Sequence, residues 1–378
     1  MEWSKDQSDA LIKIEKWLKE KRNEDNQVFY LTGYAGTGKT TLGYEVESMV
    51  KGTVLSATIT GKAALIMRKS GYHNASTIHR LIYTVDDDPN RVAGDPVFTL
   101  NKDSALKYAD LLRLDECSMV NAEIGQDLLS FGVPILVFGD PGQLPPVVGT
   151  GFFTKRTPDA RLTQVHRQAL DNTIIRIATD IRQGKVLGKV HDEYVKIYPQ
   201  GMLDEEELFA ADQIITGMNS TREATNAKFR LKLCVEHDKI PSKDEKLICL
   251  RNNQFQGLFN GMLGNVDKVI ESDEYRTIVN FTDDDEYFHK NIGIHTCCFT
   301  DPDALIDIPW HERVELNEFT YGYCITVHKA QGSQWNDLIV IDDGMLNWDR
   351  AQRRRWLYTA VTRAMKRLTV IRTKSRLS

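Results

Sequence analysis

The segment "YLTGYAGTGKTTLG", residues 30–43, constrains this chain more than any other. A short β-prone run leads into a loop with glycines at 33, 36 and 38, and Lys39, Thr40 and Thr41 then open an amphipathic stretch. The spacing Gly33-x4-Gly38-Lys39-Thr40 is that of a phosphate-binding loop. Such a loop works between a strand and a helix, so the chain is committed to an α/β fold with parallel strands. Gly33, Gly36 and Gly38 let successive backbone N–H groups turn inward toward phosphate oxygens. The helix amino terminus adds positive potential, Lys39 reaches the outer phosphates and the Thr40 hydroxyl suits Mg²⁺. A bound nucleoside triphosphate is therefore expected.

The rest of the chain alternates in the same sense. Apolar runs of strand type lie at 28–31, 54–57, 111–114 and 135–138, and again at 214–216, 338–341 and 368–371; helix-like stretches such as 8–21, 40–50 and 172–182 lie among them. Two clusters of strands imply two parallel sheets, and 378 residues suit two domains of ordinary size with insertions. Two stretches break the alternation. Residues 83–102 carry Pro, Gly and an acidic run and read as a small β excursion from the first domain. Residues 245–312 set turn signals ("NNQFQG", "FNGMLGN") between short β runs and read as a small β-barrel inserted in the second.

Composition narrows the function classes. Residues 1–26 mix charged and apolar side chains without the apolar core of a signal peptide, and no segment approaches transmembrane length. Six cysteines with no CxxC pair suit a reduced, cytosolic protein without a zinc or iron–sulfur site. The net charge of -5 argues mildly against a nucleic-acid partner, yet the charge is uneven. Residues 351–378 are rich in Arg and Lys and hold no acid, whereas 86–88, 204–207 and 283–286 are acidic clusters. Taken alone, the basic tail reads equally well as a solvated helix end.

Chemistry needs a metal-binding acid and a base, and "LLRLDECSM" supplies both after an apolar run. Asp115 suits Mg²⁺, and Glu116 suits the positioning and deprotonation of an attacking water. The next strand-like run, "VFGDPGQLPPV" at 137–147, ends in a turn that holds Asp140 and Gln143. Alone it is simply a good turn sequence. Its place one strand after the acidic pair puts Gln143 where a terminal phosphate can be sensed.

Taken in order, "GYAGTGKTT", "TGKAAL", "STIHRL", "LDECSM", "FGDPGQLPPV", "LTQVHRQ", "TVHKAQGSQ" and "YTAVTRA" resemble the motifs of superfamily 1 DNA helicases of the RecD-like, 5′-to-3′ group. The compact size is most similar to the phage Dda type. The resemblance runs from near residue 7 to residue 364 and implies two RecA-like P-loop NTPase domains with parallel sheets. It further implies a small β-hairpin pin inserted in the first domain and a small SH3-like β-barrel inserted in the second. The expected division is 1–160, with the pin at about 83–103; 161–245 together with 312–378; and 246–311 for the barrel. ATP and Mg²⁺ are the implied cofactors. Single-stranded DNA and duplex junctions are the implied partners, with replication or recombination proteins beside them, for a cytoplasmic enzyme working as a monomer. Gln7 matches the adenine-reading glutamine, and Arg167 and Arg363 match two arginines that reach the triphosphate from the second domain. Thr60, Thr77, His79, Thr326, His328 and Lys329 match positions that hold or flank the strand's phosphates. Phe98, in the place of the pin, is nominated as a wedge at the junction, with a buried core Phe as the equal alternative.

The chain departs from the pattern at Ile59, where relatives usually have Pro, and at Gln334, where many carry Glu near the nucleotide sugar. The inserted barrel is also shorter than in the Dda type. ATP-driven translocation with strand separation is the expected activity. A translocase that strips proteins and a nucleotide-switched binding module stay open beside it. A nucleotide kinase is disfavoured by the second parallel sheet and the "TVHKAQG" block.

Overall fold

The computed structural model of the protein describes residues 3–20, 26–85, 98–145, 151–165, 172–185, 187–188, 190–199, 203–233, 239–343 and 348–372. The strand Val28–Gly33, which feeds the phosphate loop, is buried along its whole length. Its unbroken apolar run is the pattern of a parallel strand covered by helices on both faces. It lies inside a six-stranded parallel sheet in the order Ala75–Thr77, Val54–Thr58, Leu111–Leu114, Ile135–Gly139, Val28–Gly33, Ala160–Leu162. One face packs through Leu112, Leu114 and Val137 against Ile78, Ile82 and Leu128, the other through Leu31 and Phe138 against Ile14, Leu42 and Val46.

A second parallel sheet has the order Cys324–Thr326, Gln213–Thr216, Trp335–Asp342, Ala364–Arg372, Val195–Pro199. Its core joins Leu338, Val340 and Val370 to Ile177, Ile181 and Trp356. The helices Thr173–Arg182 and Arg350–Val361 supply these last residues.

Inserted in sequence between Gln213–Thr216 and Cys324–Thr326 of the second sheet lies an antiparallel sheet in the order Phe288–His295, Arg276–Asp283, Leu263–Ser272, Lys246–Cys249, Phe319–Tyr321. Leu247, Val266, Val279, Phe281 and Phe319 give it a core of its own. A bridge between Ile294 and Asn317 brings its two edges together. The expected return to the second domain at residue 312 precedes Phe319–Tyr321, which pairs with Lys246–Cys249 in this antiparallel sheet. In the first domain, Tyr83–Val85 pairs antiparallel with Phe98–Leu100; the residues between these strands, 86–97, lie outside the described residues.

Local sequence explains the first helix, Lys5–Lys19. Ser4 and Gln7 form a reciprocal capping box, in which the Gln7 N–H donates to Ser4 Oγ (3.3 Å) and the Ser4 N–H donates to Gln7 Oε1 (3.0 Å). The box starts the helix before residue 8, where periodicity places it, and it fixes the Gln7 side chain. Among the described residues no helix is long and apolar enough to cross a membrane.

Candidate nucleotide and nucleic-acid site

The motif residues of both parallel sheets gather at the carboxyl ends of their strands, where open α/β sheets bind ligands. The phosphate loop leaves Val28–Gly33 with Gly36 at φ +77° and Gly38 at φ +79°, a region open to glycine but strained for other residues. Gly33 is equally constrained, because a Cβ there would lie 2.5 Å from Thr37 Oγ1. Lys39 Nζ donates to the carbonyls of Gly33 (2.7 Å) and Tyr34 (3.1 Å), folding the ammonium over the loop. Thr40 and Thr41 stand in the first turn of the helix Lys39–Met49. Gln7, 1% exposed, donates from Nε2 to the Thr37 carbonyl (3.2 Å), so it touches the loop directly.

Asp115 and Glu116 follow the strand Leu111–Leu114. Asp115 is fixed at both oxygens: Oδ1 accepts from the Glu116 N–H (2.9 Å) and Oδ2 from Arg113 Nη2 (3.4 Å). Its carboxylate and the exposed Thr40 hydroxyl are hard oxygen donors of the kind Mg²⁺ takes. Both are tied to one stack, since the Tyr72 hydroxyl donates to the Thr40 carbonyl (3.1 Å) and the Arg113 guanidinium lies 3.7 Å from the Tyr72 ring centroid. The donor set therefore fits Mg²⁺.

Glu116 sits at φ +52° and points across to the second domain. Burial raises its carboxyl above the ordinary range, while Arg363 and Lys39 pull it back down. Arg363, 5% exposed, brings Nη1 to 3.7 Å from Glu116 Oε1. Its guanidinium is steadied by the Thr359 carbonyl, to which Nε donates (3.2 Å), and by Thr362 Oγ1 (3.4 Å from Nη2). Arg167, the other arginine proposed for the triphosphate, lies outside the described residues.

Gln143 is half-buried in the turn after Ile135–Gly139. Asp140 shapes that turn by accepting the Gly142 N–H at Oδ1 (2.9 Å), and its Oδ2 accepts the Tyr358 hydroxyl (2.9 Å). The Tyr358 oxygen in turn accepts the Ala35 N–H of the phosphate loop (2.9 Å), and Thr359 Oγ1 accepts the Leu144 N–H (2.9 Å). One helix of the second domain thus grips the phosphate loop and the Gln143 turn, and it leads directly to Arg363. Tyr358 and Thr359 had no role in the sequence reading; their presence in "YTAVTR" was the available signal.

Thr60, Thr77 and Thr326 share one local design. Each caps the helix that follows it, accepting the N–H of Ala63 (3.2 Å), Arg80 (3.3 Å) and Lys329 (3.4 Å) respectively. The hydroxyl hydrogen of each is left to donate to an anion. Burial lowers the basicity of His79 and His328, which favours the neutral ring in both. Burial also depresses Lys329, whose Nζ donates to Asn260 Oδ1 of the antiparallel insert (2.9 Å). Phe98 opens the strand Phe98–Leu100 opposite Val85. The insert adds Phe259, whose ring packs on Gly61, and Asn252 and Phe259 line one small pocket with Thr77, Arg68 and Arg80. A further link joins the two sites: Gly332, at φ +79°, packs between Thr60 and Glu116, and a Cβ there would lie 2.8 Å from Thr60 Oγ1 and 3.4 Å from Glu116 Oε2.

Two RecA-like sheets, with a phosphate loop on one and an arginine reaching over from the other, define a tandem-domain P-loop NTPase. Comparison with known proteins refines this. The AAA domain family matches residues 15–199, and the UvrD-like helicase C-terminal domain family matches residues 321–371. The ATP-dependent RecD2 DNA helicase of Deinococcus radiodurans is 28% identical over 365 residues, covering 90% of this chain and 46% of that protein. The ATP-dependent DNA helicase Pif1 of Bdellovibrio bacteriovorus is 23% identical over 354 residues, covering 82% of this chain and 77% of that one. The structure of a Pif1 helicase from Bacteroides in complex with ADP-AlF3 and single-stranded DNA aligns with a TM-score of 0.58 at 19% identity, covering 100% of this chain and 94% of that one. The chain belongs to the RecD/Pif1-like helicases of superfamily 1. It spans less than half the length of the RecD2 relative.

Proposed function

We propose that this protein is an ATP-dependent DNA helicase that moves 5′-to-3′ along single-stranded DNA and separates duplex strands, hydrolysing ATP in the cleft between its two RecA-like domains. The observation that carries the reading is the reach of Arg363 across the cleft to Glu116, 3.7 Å away. Entering phosphates displace the loop carbonyls from Lys39. Arg363 exchanges the Glu116 carboxylate for the terminal phosphoryl group, whose charge it stabilises in the transition state. Glu116 is thereby released to take the proton of the attacking water, so the base acts only when the triphosphate is in the cleft. Thr40 and Asp115 would hold Mg²⁺, which would supply charge neutralisation at the phosphates. Gln7 borders the adenine, Gln143 senses the terminal phosphate, and Arg167 joins Arg363.

Motion follows from the division of the strand-binding residues. Thr60, Thr77 and His79 belong to the first domain and Thr326, His328 and Lys329 to the second, so opening and closing the cleft shifts one set against the other along the strand. Such contacts position a backbone without reading its sequence. The direction of movement rests on the RecD-like resemblance. In this reading the paired strands Tyr83–Val85 and Phe98–Leu100 belong to the pin, with Phe98 as its wedge, and the insert is an SH3-like barrel running from Lys246 to Tyr321. The remainder of 161–378 is the second RecA-like domain. The five described cysteines are free, which suits a reduced cytoplasmic setting, and the enzyme is read as a monomer.

Steady-state ATP turnover with and without single-stranded DNA tests the proposal. Turnover is expected to rise with the strand and to fall about a thousandfold or more in Arg363→Ala while ATP still binds. Turnover indifferent to DNA, or unchanged in Arg363→Ala, contradicts it.

A further inference from the structure

The strand Leu111–Leu114 is buried throughout, and its third residue is an arginine. Arg113 is 2% exposed. Its guanidinium is sandwiched between the rings of Tyr72 and Phe138, with centroids at 3.7 and 5.1 Å. It lies beneath Gly43 of the phosphate-loop helix, where a Cβ would come within 2.9 Å of Nε. Among the described residues only Nη2 finds a hydrogen-bond acceptor, Asp115 Oδ2 at 3.4 Å, and Nε and Nη1 find none.

Packing does not call for this residue. Burying a guanidinium with two unsatisfied nitrogens is costly, and an apolar side chain of similar volume fills such a site at least as well. The charge is also permanent, since arginine stays protonated in proteins. Nor is it free to move: Tyr44 stacks on Tyr72 at 4.2 Å, and Tyr72 is tied to the Thr40 carbonyl. A fixed positive charge therefore stands directly behind the two residues whose oxygens suit Mg²⁺.

We infer that Arg113 is the resident counter-cation of Asp115: it holds the carboxylate when no metal–nucleotide is bound and opposes Mg²⁺ when one arrives. It thereby loosens the grip on Mg²⁺-nucleotide and speeds departure of the Mg²⁺-ADP product. The physical basis is repulsion between like charges a few ångströms apart in a weakly screened interior. The inference rests on the reading of Asp115 as the metal ligand.

The test is a Mg²⁺ titration of N-methylanthraniloyl-ADP fluorescence on the full chain, for wild type, R113M, R113Q, R113K and D115N. Met fills the volume without charge, Gln keeps a donor toward Asp115 without charge, and Lys keeps the charge. Half-saturating Mg²⁺ is expected to fall about tenfold in R113M and R113Q and to stay within about threefold of wild type in R113K. Release of the fluorescent ADP in Mg²⁺ should slow in the first two. Thermal melting establishes which variants fold, and R113Q carries the test where R113M does not. An unchanged Mg²⁺ requirement in folded R113M or R113Q overturns the inference, because Arg113 then only packs. A raised requirement overturns it equally, because Arg113 then orients Asp115 for the metal. D115N separates the two layers: a Mg²⁺ response like that of wild type removes Asp115 as the ligand, and both readings fall together.

Discussion

Glu116 occupies a backbone region that side chains other than glycine seldom adopt, and its partly buried carboxyl faces Arg363 of the second domain. Such strain persists where surrounding contacts enforce it, here the Asp115 carboxylate, Arg363 and Gly332. Glu116→Gln preserves shape and removes the proposed base. The variant is expected to bind ATP normally and to turn it over about a thousandfold more slowly, as measured by single-turnover hydrolysis. Collapse of nucleotide affinity instead would make Glu116 a metal ligand or a structural residue. The sign of the pH dependence follows from burial. A base whose pKa is raised loses its ionised form sooner as pH falls, so the acid limb of kcat should lie above the ordinary glutamate value of about 4.3. That limb should be missing in Glu116→Gln. The acidic pair and the loop lysine were legible in the sequence because each motif is a contiguous string. Arg113 was not, because nothing in "LLRLDECSM" says that its arginine points into the sheet's interior.

The helix Arg350–Val361 does more than cover a sheet, since its last turns and the Arg363 that follows them touch three separate parts of the first domain. Tyr358→Phe keeps the ring against Gly142 and removes both hydroxyl bonds, to Ala35 and Asp140. About 1–2 kcal/mol of stability should be lost in denaturant unfolding. DNA-stimulated turnover should drop about tenfold with little change in KM, because positioning rather than binding is impaired. A variant that melts lower yet turns over normally would confine Tyr358 to packing. The hairpin formed by Tyr83–Val85 and Phe98–Leu100 makes a different claim. Phe98→Ala should slow duplex unwinding while sparing turnover stimulated by single strands, and loss of both would make the hairpin part of the strand-binding floor. Element by element, the sequence was clearest where strands are central: Val28–Gly33 and Ile135–Gly139 are continuous apolar runs because helices bury both faces. The sheet-edge strand Val195–Pro199, carrying Lys196, and the half-exposed Leu263–Ser272, carrying Asp267, Lys268 and Glu271, lack that signature. The helix Asn219–Lys232 carries a weak apolar signal for a related reason, as it buries only Asn226 and Phe229.

At the scale of the whole molecule the account is one of coupling between a nucleotide cleft and a strand path. Gly332 touches Glu116 on one side and Thr60 on the other, so the two proposed functions meet at one residue of the second domain. The insert closes on the first domain as well, through Phe259 on Gly61, Lys62 with Asp284 at 3.8 Å, and an ion pair between Lys69 and Asp285. These contacts join residues far apart in the chain. Tyr358 and Asp140 are 218 positions apart, and no periodicity or spacing in the sequence connects them. Two parallel sheets and an antiparallel insert were nevertheless legible, because strand type and turn signals are local. The direct test of the central claim is unwinding of a duplex that carries a single-stranded tail at either its 5′ or its 3′ end, with ATP and Mg²⁺, under single-turnover conditions. The prediction is strand separation from the 5′-tailed substrate, little from the 3′-tailed one, and none from either in Lys39→Ala. Equal unwinding from both tails, preference for the 3′ tail, or ATP turnover with no strand separation on either substrate would contradict it.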